Sequence, residues 1–187
     1  MSRPTDANTG PATTAWEGRW LRIRTRGTWE YAERTHADGK AVIIVAVTPE
    51  RKLLFVEQFR VPLQQHTIEM PAGLVGDNAG EDTLEMAAAR ELLEETGWQA
   101  SHVEVLMEGP TSSGMSNERI AFCRATGLTR VHAGGGDETE DITVHEVPVA
   151  EAAQWLTRKM AEGYAMDPKL WAGLWFVERN IDGSAAG

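Results

Sequence analysis

Seven consecutive apolar residues, AVIIVAV at positions 41–47, constrain this chain most. The run has strand length and is rich in β-branched side chains. The polar turn Thr48-Pro49-Glu50-Arg51-Lys52 separates it from a second apolar run at 53–59. Together they predict a buried antiparallel pair. Seven residues fall far short of the roughly 20 needed to cross a bilayer, so no membrane partner is expected.

The 187 residues suit a single domain, and a hydrophobic share of 42% with 25% charged residues is enough to build a core and to exclude disorder of the whole chain. Residues 16–36 alternate polar and apolar side chains around Arg26-Gly27, predicting two strands and a turn. Pro62 and then Pro71-Ala72-Gly73 lead into a glycine-rich loop ending at Glu81. A helix is predicted over 83–96, with Asp82 as N-cap, Glu85 three residues on and Gly97 as the stop. Further strands are expected at 102–107, 119–125 and 142–147, and closing helices at 151–162 and 169–180. Antiparallel strands followed by late helices give an α+β class rather than a doubly wound parallel sheet. Residues 1–14 read as a disordered lead, 15–181 as the domain, with 15–37 as its N-terminal hairpin, and 182–187 as a flexible tail.

The formal charge of −10 would repel nucleic acid phosphates, so no nucleic acid partner is expected, and a phosphorylated ligand would need a cationic mediator. The single cysteine, Cys123, excludes an intrachain disulfide and a cysteine-based metal site, and a cytoplasmic address is the default. Cys123 lies in an apolar strand and reads as an inert buried thiol. His145 takes a polar alternate position and reads as exposed.

The predicted helix carries the chemistry. Residues three and four apart on a helix are neighbours, so Glu91, Glu94 and Glu95 crowd one patch, with Ala87 and Ala88 on the same face and Met86, Ala89 and Leu93 turned toward the core. Like charges at this spacing cost a few tenths of a kcal/mol per pair, and the helix C-terminus adds to that cost. A hard divalent ion would offset it, because Mg²⁺ prefers carboxylate oxygens and completes its shell with waters and phosphate oxygens. The competing reading is a solvated acidic face eased by an Arg90–Glu94 pair at i+4.

Context favours the ion. Arg90-Glu91-Leu92-Leu93-Glu94-Glu95-Thr96-Gly97-Trp98 resembles the second half of the Nudix box at every fixed position. The first half fits in two registers, Gly76 with Asp82 where the box has Glu, or Gly73 with Glu81 and inserted loop residues. The resemblance implies a mixed sheet sandwiched between helices (an α/β/α sandwich) and hydrolysis of a diphosphate linking a nucleoside to another group, with Mg²⁺ or Mn²⁺. It implies Glu91 and Glu95 as principal ligands, Glu94 in support, the Ala72 carbonyl as a further ligand, and Arg90 as the residue that orients the carboxylates.

Beyond the box the chain is similar to the ADP-ribose pyrophosphatase branch. Glu57-Gln58-Phe59-Arg60 followed by Glu69-Met70-Pro71-Ala72-Gly73 is similar to that branch's approach to the box, and makes Gln58 and Arg60 substrate-binding candidates. Residues 112–118 (SSGMSNE) look like its substrate loop, which adds Ser116 and Glu118. Glu138-Thr139-Glu140-Asp141-Ile142, after the hinge Gly134-Gly135-Gly136, looks like its mobile loop, with Glu140 as general base and Glu138 as second candidate. Trp29, Glu30 and Arg34 lie where related enzymes exchange strands between subunits and stack the base, so they could grip base and ribose or be ordinary strand content. The expected protein is a homodimeric pyrophosphohydrolase of ADP-ribose or a related nucleoside diphosphate sugar. GDP-mannose or a broad range of such sugars is the alternative within this chemistry. A catalytically silent nucleotide-binding domain is the alternative outside it.

Overall fold

In the computed structural model, which describes residues 6–36, 39–76, 82–136 and 141–186, the apolar run at 41–47 forms the strand on which the other layers are laid. The chain opens with a helical turn, α1 (Asp6–Thr9), and strands β1 (Thr13–Glu17), β2 (Leu21–Arg26) and β3 (Trp29–Arg34). Strands β4 (Lys40–Ala46), β5 (Lys52–Arg60), β6 (Gln65–Glu69) and β7 (Ala72–Leu74) lead to helix α2 (Leu84–Thr96). After it come β8 (Trp98–Gln99), β9 (His102–Pro110), β10 (Arg119–Thr126), β11 (Thr129–Arg130) and β12 (Ile142–Pro148). A 3₁₀ turn (Val149–Glu151), α3 (Ala152–Ala161), β13 (Ala165–Met166) and α4 (Lys169–Glu178) close the fold.

One sheet runs β7-β4-β10-β9 and another β12-β5-β6-β13; β4 with β10 and β6 with β13 are parallel, so the architecture is mixed. β4 serves two cores. Val42, Ile44 and Ala46 pack with Ala87, Ala88 and Leu92 of α2, whereas Ile43 and Val45 pack with Leu156 of α3 and with Leu170 and Phe176 of α4. A strand buried on both faces has no solvent side to make polar, which is why the run is unbroken. Each such side chain contributes about 1.5–3 kcal/mol by leaving water. With α2 on one side and α3 and α4 on the other, the α+β class and the α/β/α sandwich stand as expected. Among the described residues no helix is long and apolar enough to cross a membrane.

The expected pairing of the two apolar runs is corrected. β4 and β5 lie in different sheets and meet only at an isolated Val47–Leu53 bridge, because each is buried on both faces and takes an inner place in its own sheet. The predicted N-terminal hairpin is a three-stranded meander, since Thr13 to Glu17 also pairs with β2. Residues 1–14, the expected lead, thus include α1 and the start of β1. The expected tail folds back as well: Asn180 N–H donates to Ser184 O, Ala186 N–H donates to Glu178 O, and Arg124 of β10 donates to the carbonyls of Phe176 and Arg179 at the end of α4. A cation at a helix C-terminus satisfies its orphan carbonyls and its dipole together.

Cys123 is buried, and desolvation, with Glu85 and Glu108 adding to it, pushes its thiol up to about 12, which keeps it protonated and inert. His145 differs from its expected exposure. It is half-buried against the Trp155 ring, and its Nε2 lies 2.9 Å from Glu57 Oε2.

Candidate active site

Helix α2 begins one residue later than its sequence signals suggest. Thr83, not Asp82, is the N-cap, and its hydroxyl accepts from Met86 N–H at 3.2 Å. Asp82 is committed elsewhere. Its Oδ2 accepts from the Gly76 amide at 3.3 Å and lies 3.4 Å from Arg90 Nη2, so it ties Gly76 to the helix. The buried stripe also differs from expectation: Met86 is exposed, and Ala87, Ala88, Leu92, Glu95 and Thr96 are buried. The face carrying Glu91 and Glu95 is therefore turned onto the sheet.

Both carboxylates rest on adjacent residues of β7. Glu95, only 3% exposed, accepts from the Ala72 amide at 3.0 Å. Glu91 lies over Gly73, where an added Cβ would overlap its carboxylate, so glycine is what lets this side chain approach the strand. Glu94, with half its side chain exposed, lies apart, 3.4 Å from Arg90 Nη1. Arg90 ties the group together, donating to Glu91 Oε1 at 2.7 Å and to the Leu74 carbonyl at 3.1 Å. Burial works against its charge, but Glu91, Asp82 and Glu94 outweigh it and hold the guanidinium above its ordinary range.

The donor set fits a hard cation. It is carboxylate oxygen beside backbone, without sulfur, and among the described residues no three His, Cys, Asp or Glu side chains converge into a ready cage. Carboxylate oxygens suit Mg²⁺, which takes one or two of them and fills the rest of its shell with water and phosphate oxygens.

The end of α2 is held by the loop that follows β11. Gly97 closes the helix in the left-handed conformation at φ +73°, its N–H donating to Leu93 O. Gly135 and Gly136 donate to the carbonyls of Glu95 and Glu94 at 2.8 and 3.2 Å. The glycines read as a free hinge are thus bonded to the helix. Glu138 and Glu140 lie outside the described residues, as does Glu81.

Of the remaining sequence candidates, Arg60 forms a two-pronged pair with Glu69, 2.7 Å from Nε to Oε1 and 2.5 Å from Nη2 to Oε2, and Thr67 donates to the same carboxylate at 2.6 Å. Burial alone would raise the Glu69 pKa, yet Arg60 and Thr67 together bring it below the usual carboxylate value. Gln58 is half-buried beside them on β5, its main-chain carbonyl oxygen 3.3 Å from the Thr67 hydroxyl. Arg34 and Glu118 come together at 2.7 Å, and Ala32 N–H donates to Met115 O, fastening β3 to the 112–118 loop.

Trp29 and Ser116 line a cavity of about 350 Å³ with Arg26, Tyr31, Ser113 and Asn117. Glu30, the residue between Trp29 and Tyr31, points to the opposite face of β3 by strand alternation, so the structure does not bring it to this cavity. Tyr31 and Arg26 were missed; the period of two that pairs Tyr31 with Trp29 was the available signal. Asn117 sits just before Arg119, which registers with Lys40, whereas Ala72 registers with Ile43.

An α/β/α sandwich with two acids of one helix seated on a strand end defines a class of fold and site. A crystal structure of an ADP compounds hydrolase shares the architecture with a TM-score of 0.68, covering 89% of each chain at 20% identity. The NUDIX domain family matches residues 38–170, more than half of the chain, and the chain belongs to the Nudix family. Similar proteins include a methanol dehydrogenase activator of Bacillus methanolicus, 39% identical over 64% of this chain and 63% of that protein. An ADP-ribose pyrophosphatase of Mycobacterium tuberculosis is 40% identical over 63% of this chain and 56% of its own length. A GDP-mannose pyrophosphatase of Enterobacter sp. is 33% identical over 67% and 69%. The chain thus spans less than two thirds of the length of the first two.

Proposed function

We propose that this chain is a divalent-cation-dependent pyrophosphohydrolase that splits the diphosphate of ADP-ribose, or a related nucleoside diphosphate sugar, into a nucleoside monophosphate and a sugar phosphate. The observation that carries the reading is the seating of Glu91 and Glu95 side by side on the Ala72-Gly73 backbone. Two carboxylates brought side by side on one strand end supply the oxygen ligands that a hard divalent ion prefers.

In this reading Glu91 and Glu95, with the Ala72 carbonyl and support from Glu94, hold Mg²⁺ or Mn²⁺. The ion, when bound, supplies neutralisation of the diphosphate charge and activation of the attacking water. Arg90 keeps Glu91 oriented. Arg60, oriented by its pair with Glu69, contacts phosphate or ribose, with Gln58 beside it. Trp29 stacks the base and Ser116 hydrogen-bonds near it, while Arg34 and Glu118 fix the loop that carries Ser116. Glu140, with Glu138 as second candidate, takes the proton of the attacking water on a carboxylate oxygen. Support for that assignment is that Gly136, two residues before Glu138 in the chain, donates to the Glu94 carbonyl at the end of α2.

ADP-ribose is favoured by the similarity to ADP-ribose pyrophosphatases, and GDP-mannose is the second reading, favoured by the relative of that name. A cytoplasmic homodimer is part of the proposal, supported by the lone cysteine and by the exposed Trp16, Trp20 and Trp29 of the N-terminal meander. The test is phosphate release from ADP-ribose and GDP-mannose in a phosphatase-coupled assay with and without Mg²⁺. Glu95→Gln is expected to lower kcat at least about 100-fold, the size of effect seen when one transition-state charge stabiliser is removed. Equal turnover by parent and variant would overturn the ligand assignment, and no phosphate release by the parent, with or without Mg²⁺, would favour a silent binding domain.

A further inference from the structure

Outside the box, one side-chain cluster has no part in the function proposed so far. Arg130 of β11 spends all three guanidinium nitrogens: Nε–H donates to His132 O at 2.6 Å, Nη2 to Ala133 O at 3.1 Å and Nη1 to Glu146 Oε1 at 2.5 Å. Glu146 of β12 also accepts from Trp98 Nε1 and Lys52 Nζ, both at 3.3 Å, and the guanidinium stands 5.4 Å from the centre of the Trp98 ring. A planar fork gripped on each prong has little freedom left.

The two carbonyls that Arg130 holds belong to the segment that closes α2. Val131 and His132 donate to Gly97 O, Gly134 donates to His132 Nδ1, and Gly135 and Gly136 take the Glu95 and Glu94 carbonyls. The approach is close enough that a Cβ on Gly134 would come within 2.6 Å of Glu95 O. Carbonyls in the last helical turn have no partner within the helix. Here those of Leu93, Glu94 and Glu95 are each supplied, two of them by the segment that Arg130 fixes. Glu95 is therefore held twice, through its carbonyl by Gly135 and through its carboxylate by Ala72.

The geometry points to Arg130 as a positioning residue for the cation site: anchored by Glu146, it clamps the 132–136 segment so that the final turn of α2 keeps the Glu95 carboxylate on the Ala72 amide. This rests on the metal reading of Glu91 and Glu95. Removing the clamp lets the last turn fray and leaves Glu95 to find its position only on binding. Partners that orient a ligand typically change metal affinity 10–100-fold.

The test is titration of the full chain with Mn²⁺ alone, following the free-ion signal by electron paramagnetic resonance, for the parent, Arg130→Ala, Arg130→Lys and Glu95→Gln. Arg130→Ala is expected to bind Mn²⁺ about 10-fold more weakly and to lose kcat with a KM changed less than about twofold. Arg130→Lys keeps the charge but not the fork, and is expected to be weakened in the same direction; it decides the matter if the alanine variant does not fold. Arginine variants that bind Mn²⁺ as the parent does, while Glu95→Gln has lost it, would overturn the positioning role and leave the metal reading intact. Mn²⁺ binding unchanged in Glu95→Gln would overturn both.

Discussion

At the scale of single residues, the neutral isostere Glu69→Gln isolates one charge. The pKa of Glu69 is lowered from 4.5 in the folded chain, so its ion pair stabilises the fold fully above that value, and the contribution is lost as pH falls through the depressed folded-state pKa. The variant is expected to be about 2 kcal/mol less stable than the parent at pH 7, the order of a hydrogen bond to a charged group, with the gap closing on acidification below 4.5. Urea unfolding at several pH values measures both, and a gap that widened in acid would contradict the sign. Glu91 and Glu95 could be read from spacing, because i and i+4 fix a shared helical face whatever the fold. Their inward orientation could not, since that depends on which side of α2 the sheet covers. Tyr31 was legible only in part: the period of two puts it on the face of Trp29, but not which loop closes the cavity over that face.

At the scale of elements, α2 was the most legible part of the chain, and Gly97 ends it as its sequence implies. Its N-terminus was misread by one residue because Asp82 and Thr83 are both good caps, and the choice was made by a distant partner: Arg90 and the Gly76 amide draw Asp82 away. β7 was implied only through the resemblance, which puts Ala72 at a strand end, and not by its own residues. Three residues with a glycine at the centre carry little strand propensity, and only pairing with β4 makes them one. That glycine supports a sharp expectation. Gly73→Ala would meet the flexible Glu91 side chain, which can swing aside, so thermal stability should change by less than about 1 kcal/mol. The displaced carboxylate should nonetheless lower kcat at least about 10-fold. Calorimetry paired with the phosphate assay separates the two, and full activity in the alanine variant would place the working position of Glu91 elsewhere.

For the molecule as a whole, the class and layering were legible because long apolar runs and bounded helices survive any context. The distribution of strands between sheets was not, because two adjacent apolar runs look alike whether they pair with each other or with others. The N-terminal meander presents Trp16, Trp20, Leu21 and Trp29 to solvent, more large apolar surface than a lone small sheet needs. A dimer would cover it. Light scattering is expected to give about twice the 20.5 kDa chain mass, and Trp16→Glu with Trp20→Glu to return it to a single chain. A parent that stays monomeric at micromolar concentration would remove the dimer from the proposal.

The two-sided strand at the centre has a further consequence for how such a protein can diverge. Ile43 and Ile44 are neighbours in sequence but answer to different helices. A change of volume at Ile43 must be absorbed by α3 and α4, and one at Ile44 by α2. Descendants of this chain are therefore free to recut the rear layer while the bed under α2 keeps its shape.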